Sequence, residues 1–377
     1  MGFSTDAIHA GQIPDPTTGA VITPIYQTST YSQEALGKHK GYTYGRGHNL
    51  TRKALESNIA ALEKGKYGIA FSSGVAAAHA LMSLVKQGDH VIVSNNVYGG
   101  TYRLYELNMK EYGIEYSWVD ASDVNNIEAA VKSNTKMVYV ETPTNPMLNL
   151  TDLESTAKIC KKHNLICVVD NTFMSPYFQN PLNFGCDIVL HSETKYINGH
   201  SDVIGGILVT SDDKIHSRLR YIQNAIGSIP APFDCWLILR STKTLAVRME
   251  RHEHNAMQFV NFLLSSNAAK KIYYPGLTTH PQHELAKKQM RGFGGMISAD
   301  FGDFETAKKI LNNVKIFTLG ESLGGVESLI GHPATMTHSS VPKEERDKMG
   351  ITDSLIRFSI GLEDVEDLIQ DVQNAMR

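Results

Sequence analysis

Between Lys66 and Thr210, short runs of apolar, largely β-branched residues alternate with longer segments whose apolar positions recur at helical spacing. The runs are Tyr67–Phe71, His90–Ser94, Lys136–Val140, Leu165–Asp170, Asp187–Leu190 and Gly206–Thr210. Continuous apolar strands separated by helices predict an α/β fold with a mainly parallel sheet covered on both faces. Ligands in such sheets gather at the carboxyl ends of the strands. Ser72-Ser73-Gly74, Asn95, Glu141-Thr-Pro-Thr-Asn145, Asp170-Asn171 and His191-Ser-Glu-Thr-Lys195 occupy those ends, so a polar ring follows an apolar sheet.

The flanks differ. Up to about Arg52 the chain is rich in Gly, Thr, Tyr and Pro, and no regular element is predicted before a helix over Leu55–Lys64. This stretch reads as an arm. From Phe233 to about Ser265 a long helical pattern leads into a second α/β region with candidate strands Lys315–Leu319 and Leu355–Ser359. The expected division is an arm over 1–50, a large domain over 51–235 and a smaller carboxy-terminal domain over 236–377. No internal repeat or low-complexity tract interrupts it.

Composition mainly removes possibilities. The 377 residues carry 36 Lys+Arg against 39 Asp+Glu, which leaves neither a basic face for nucleic acid nor a polybasic membrane anchor. No apolar run approaches the ~20 residues that span a bilayer, and Met1–Gly11 lacks the pattern of a secretory signal. A cytoplasmic protein is expected. Cys160, Cys167, Cys186 and Cys235 form no C-x-x-C pair and read as reduced core thiols, with no metal site.

Two motifs fail on inspection. Gly320-Glu-Ser322-Leu-Gly324 matches the G-x-S-x-G elbow of serine hydrolases, which needs an acid and then a histidine downstream. The last histidine is His338, and Glu327 is the one acid between, so a hydrolase stands as a weak alternative of another class. His252-Glu-His254 lacks the spacing that places two imidazoles on one helix face and reads as part of a solvated helix.

Lys195 taken alone reads as a surface lysine. Together with the other strand ends it completes the set of partners that pyridoxal phosphate requires: a Schiff-base lysine, a carboxylate for the pyridinium nitrogen, an aromatic plane and a phosphate cradle. Asp170 supplies the carboxylate and Tyr98 the plane. Ser73, Gly74 and Val75 open an alanine-rich helix whose first amides suit a phosphate, with Ser192 and Thr194 adding hydroxyls.

Ser192-x-Thr-Lys-Tyr-x-x-Gly-His-Ser-Asp202, Val169-Asp-Asn-Thr-Phe173, Val97-Tyr-Gly-Gly100, Glu141-Thr-Pro-Thr-Asn-Pro146 and Glu321-Ser-Leu-Gly-Gly325 resemble the transsulfuration family of pyridoxal-phosphate enzymes. That family comprises cystathionine γ-lyase, γ-synthase, β-lyase and their methionine-cleaving relatives. The resemblance runs the length of the chain and implies a fold-type-I, aminotransferase-like subunit with a seven-stranded sheet, in a homotetramer of two catalytic dimers. It implies that Tyr44 and Arg46, matching a Y-x-R motif, reach the neighbouring subunit's cofactor phosphate. Asn145 would meet the ring oxygen, Arg357 the substrate carboxylate, Ser322 the lysine, and Tyr98 would act as acid or base as well as ring stack.

Elimination from cystathionine is the implied reaction. The γ route yields cysteine, 2-oxobutanoate and ammonia, and the β route homocysteine, pyruvate and ammonia. Glu321 stands where γ-acting members carry glutamate, so γ-lyase activity is expected first, with β-lyase and γ-synthase as alternatives. Three departures from the family pattern are Thr43, the segment Gly47-His-Asn-Leu50-Thr51, and Glu193 where a small residue is usual. A carboxylate at 193 would face solvent or perturb the phosphate.

Overall fold

The computed structural model describes residues 1–339 and 341–377. Its larger sheet has seven strands, β1 Tyr67–Phe71, β2 His90–Ser94, β3 Glu115–Val119, β4 Thr135–Glu141, β5 Ile166–Asp170, β6 Ile188–Ser192 and β7 Gly206–Thr210. They lie in the order β1-β7-β6-β5-β4-β2-β3. Neighbours from β3 through to β6 are parallel, and β7 runs antiparallel to both β6 and β1.

Alternate residues of each strand feed cores on opposite faces. Val91, Val93, Tyr139 and Val168 meet on one face, while Ile92, Val138, Val140 and Val169 meet on the other. Two-sided burial explains why these strands read as unbroken apolar runs. The strand missing from the sequence reading, β3, lies at the sheet edge and is half-buried, with Glu115 exposed and its aromatics interleaved with polar residues.

A second sheet of β8 Lys271–Tyr273, β9 Met296–Asp300, β10 Thr318–Leu319, β11 Leu329–Gly331 and β12 Leu355–Ser359 is mostly antiparallel, in the order β10-β11-β12-β9-β8. Its own core gathers Phe259, Ile297, Phe358 and Leu368.

Several expectations need correction. The run Lys315–Leu319 yields only the two-residue β10, because the amides of Lys315, Ile316 and Phe317 are taken by the Asp371 carboxylate at 2.7–3.0 Å instead of a strand. The long pattern from Phe233 is two helices, Pro232–Thr242 and Leu245–Ser265. Buried Arg248 donates to the carbonyl of Ser241 at 3.1 Å, where the first helix would otherwise continue. His252 is buried, not solvated: its Nδ1 lies 2.6 Å from the carbonyl of Ile360, and burial pushes the imidazole down to about 4. His254 alone of that pair faces solvent.

The arm holds a helix that its sequence did not announce, α1 Phe3–His9, fastened by Asn58 Nδ2 to the carbonyls of Asp6, Ala7 and Ala10. Helix α2, Leu50–Leu62, begins earlier than expected because Asn49 accepts from the amides of Thr51 and Arg52. Thr51 Oγ1 in turn donates to the carbonyl of Pro24 at 2.8 Å. Asn49 and Thr51 thus start this helix and pin the arm to it.

All four cysteines are buried and unbonded. Among the described residues no helix is long and apolar enough to cross a membrane.

Candidate active site

Because β2, β4, β5 and β6 are parallel, their final residues Ser94, Glu141, Asp170 and Ser192 share one edge of the sheet. There Glu141, Asp170 and Ser192 line a cavity of about 350 Å³. The fold brings twelve of the residues singled out in the sequence onto its wall, in three groups.

The first group is a cradle. Ser73 caps α3, Gly74–Leu81, by accepting the amide of Ala76 at 3.0 Å, leaving the amides of Gly74 and Val75 at the open first turn. Ser192 and Thr194 come from the other side; Thr194 Oγ1 receives the amide of Gly205 at 3.0 Å. Backbone closeness is what makes the cradle narrow. A Cβ at Gly74 would stand 3.0 Å from the Ser192 Cβ, and one at Gly206 would stand 2.3 Å from the Ser73 carbonyl oxygen.

The second group surrounds a ring-sized space. Asp170 Oδ1 accepts from the Thr172 amide at 3.0 Å and hydroxyl at 2.5 Å, and Oδ2 accepts from the Tyr139 hydroxyl at 3.1 Å. Burial raises the Asp170 carboxyl while the Thr172 hydrogen bonds oppose that rise. Tyr98 stands at the mouth, 40% exposed, its ring passing so close over Gly100 that a Cβ there would lie 2.3 Å from it.

The third group sets an amine beside a guanidinium. Lys195 Nζ donates to Ser322 Oγ at 2.7 Å. Burial, and then the Arg357 charge, hold its amine down at about 8 against the opposing pull of Glu321. Arg357 is buried and lowered to about 10 by that burial; it donates to Asn145 Oδ1 at 3.0 Å and to the Ser322 carbonyl at 2.6 Å. Ser322 has φ +104°, a conformation that costs a non-glycine residue ~1–3 kcal/mol. The residue once read as a hydrolase elbow is therefore bonded to a lysine. Glu321 is exposed on the same wall.

Tyr44 and Arg46 are not part of this cavity. They are exposed beside a separate one of about 220 Å³, with the Arg46 guanidinium 5.7 Å from the Tyr44 ring centroid. Beneath them buried Arg52 donates to the carbonyls of Gly45, Arg46 and Gly47 at 2.9–3.2 Å and fixes that turn.

Glu193 does not face solvent. It is fully buried behind the cradle, both carboxyl oxygens lack a hydrogen-bond partner among the described residues, and burial pushes it up to about 8. Thr43 is exposed on the arm.

Sequence reasoning passed over Tyr139, Thr172 and Thr337, which also line the cavity. Tyr139 is hidden inside an apolar run, and Thr337 arrives from a distant loop. Thr172, directly after Asp170-Asn171, was open to discovery as a second hydroxyl at a strand end.

The residues present fit pyridoxal phosphate. The donor set matches its parts: a buried carboxylate for a protonated ring nitrogen, a neutral-prone amine for its aldehyde, and helix amides with hydroxyls for its phosphate. The family model of the Cys/Met metabolism PLP-dependent enzymes matches residues 4–377. A cystathionine beta-lyase of Coxiella burnetii is 54% identical over 377 residues, covering 99% of this chain and 97% of that protein. A cystathionine gamma-lyase of Bacillus subtilis is 52% identical over 376 residues, covering 100% and 99%. The crystal structure of cystathionine gamma-lyase from Lactobacillus plantarum complexed with L-serine superimposes with a TM-score of 0.97 at 47% identity, covering 100% of this chain and 98% of that one.

Proposed function

Since this chain belongs to the Cys/Met metabolism PLP-dependent enzymes, we propose that it is a carbon–sulfur lyase cleaving L-cystathionine by α,γ-elimination to cysteine, 2-oxobutanoate and ammonia. When bound, pyridoxal phosphate supplies an aldehyde for the substrate amine and a protonated ring that accepts electron density from Cα. Ser73, Gly74, Val75, Ser192 and Thr194 hold its phosphate, and Asp170 holds its ring nitrogen.

Arg357 receives the substrate carboxylate through its planar fork, with Asn145 fixing the guanidinium. Lys195 Nζ takes the proton from Cα, a role suited to an amine that burial keeps near neutrality. In the γ route it must then move a proton from Cβ as well. Tyr98, half-open to solvent at the cavity mouth, is the acid in this reading for the departing sulfur.

The observation that carries the γ assignment is Glu321 on the cavity wall. Its charge favours protonated Lys195, and so stabilises the ammonium that Nζ carries between two successive transfers. β-Elimination of the same substrate is the second reading, favoured by the name of the Coxiella relative. Product analysis with cystathionine decides: 2-oxobutanoate is expected, pyruvate would replace the γ route by the β route, and neither keto acid would overturn lyase activity and point to γ-synthase.

The same reading places the chain in a homotetramer of two catalytic dimers, with Tyr44 and Arg46 completing a second copy's phosphate site. Their exposure outside their own cavity supports this. Mixing Arg46→Ala with Lys195→Ala subunits should restore activity that neither variant has, because mixed dimers contain one intact composite site. A mixture as inactive as its components refutes the shared site. Buried, unbonded cysteines support the cytoplasm as the compartment.

A further inference from the structure

Glu141 ends β4 on the cavity wall, yet the reaction derived above gives it no part. It is 4% exposed, and Asp170 stands in register beside it at the end of β5. Its Oε2 accepts the amide of Tyr98 at 2.8 Å. Its own amide donates to Ser94 Oγ at 3.2 Å, at the end of the strand that leads to Tyr98.

One side chain therefore joins the segments after β2 and β4. That junction matters because it fixes the amide side of Tyr98, whose carbonyl is held separately by the amides of Thr101 and Tyr102 at 2.9 and 3.2 Å. The residue begins the short helix Gly99–Tyr102 without a side-chain cap, and its ring is 40% exposed. Where the ring stands is decided by its backbone, and the backbone amide is held by Glu141.

Resting on the assignment of the cavity to pyridoxal phosphate, we propose that Glu141 is a positioning residue: its carboxyl oxygen holds the backbone amide that sets where the Tyr98 ring meets the cofactor. Burial and the neighbouring Asp170 push the Glu141 carboxyl well above the usual range. A neutral acceptor of the same shape is then an adequate substitute.

The test compares Glu141→Gln with Glu141→Ala in the assembled holoenzyme. Gln keeps an acceptor oxygen, and kcat should stay within roughly threefold of wild type. Ala removes it, and kcat should fall roughly 10–100-fold, the cost of a small misplacement near the reacting atoms, with KM nearly unchanged because Arg357 keeps its own partners. The induced circular dichroism of the bound cofactor should weaken in Ala and persist in Gln. If Ala does not fold, Glu141→Ser, whose hydroxyl is too short to reach the Tyr98 amide, serves the same comparison.

Equal loss in Gln and Ala would overturn the proposal, since a charge would then be the requirement. Wild-type kcat and dichroism in Ala would overturn it too. A wild-type protein with no cofactor absorbance would instead fail the assignment of the cavity, and is recognised before any variant is made.

Discussion

Lys195→Ala should lower kcat/KM by roughly 10⁴-fold or more, combining the loss of a covalent anchor with the loss of a general base. Among the described residues no other lysine lines the cavity, so no second amine stands ready to substitute. Lys195→Arg should be as inactive, because a guanidinium keeps the charge and gives up no proton near neutrality. Borohydride reduction followed by peptide mapping checks the assignment directly. Wild type should carry the reduced cofactor on Lys195 alone, and an adduct on another lysine in either protein would refute it.

The second large effect is on stability and concerns Glu193. A carboxyl raised in the folded state to about 8 from an ordinary 4.5 stays protonated while its unfolded counterpart ionises. The native state is then disfavoured progressively as pH rises from the unfolded value to the folded one, and by a constant amount above it. At ~1.4 kcal/mol per pH unit, the span from 4.5 to about 8 corresponds to roughly 5 kcal/mol per subunit as an upper limit.

Burial is the main cause and the nearby Glu56 charge adds to it. Glu193→Gln should match wild type at about pH 4 and be more stable by several kcal/mol at about pH 9. Glu193→Ala should show the same pH trend, offset by the packing it removes. Thermal melts of the holoenzyme across that range read the difference. Curves for Gln and wild type that stay parallel would sink the prediction.

Much of the larger sheet was legible because burial on both faces writes each strand as an apolar run. The same logic made the site legible: parallel strands deliver their polar ends to one edge, so Asp170, Ser192 and Lys195 were found without knowing the packing. What escaped has a different physical origin. Strands β8 and β11 are three residues each and β3 is an edge, so none has a run to display. Helix α1 depends on Asn58, some fifty positions away. Arg52 and Glu193 are charged residues whose burial is decided by what folds over them, and nothing in their neighbours along the chain announces it.

Ser322 joins two events that are otherwise chemically separate. Its carbonyl is fastened to the Arg357 guanidinium, and its hydroxyl to the Lys195 amine. Both grips meet on one peptide unit held at an unfavourable φ. On the proposed role of Arg357, a substrate carboxylate would compete with the Ser322 carbonyl for the same guanidinium, so binding at one end of the residue and the freedom of the Lys195 amine at the other would be coupled through a single side chain and its backbone.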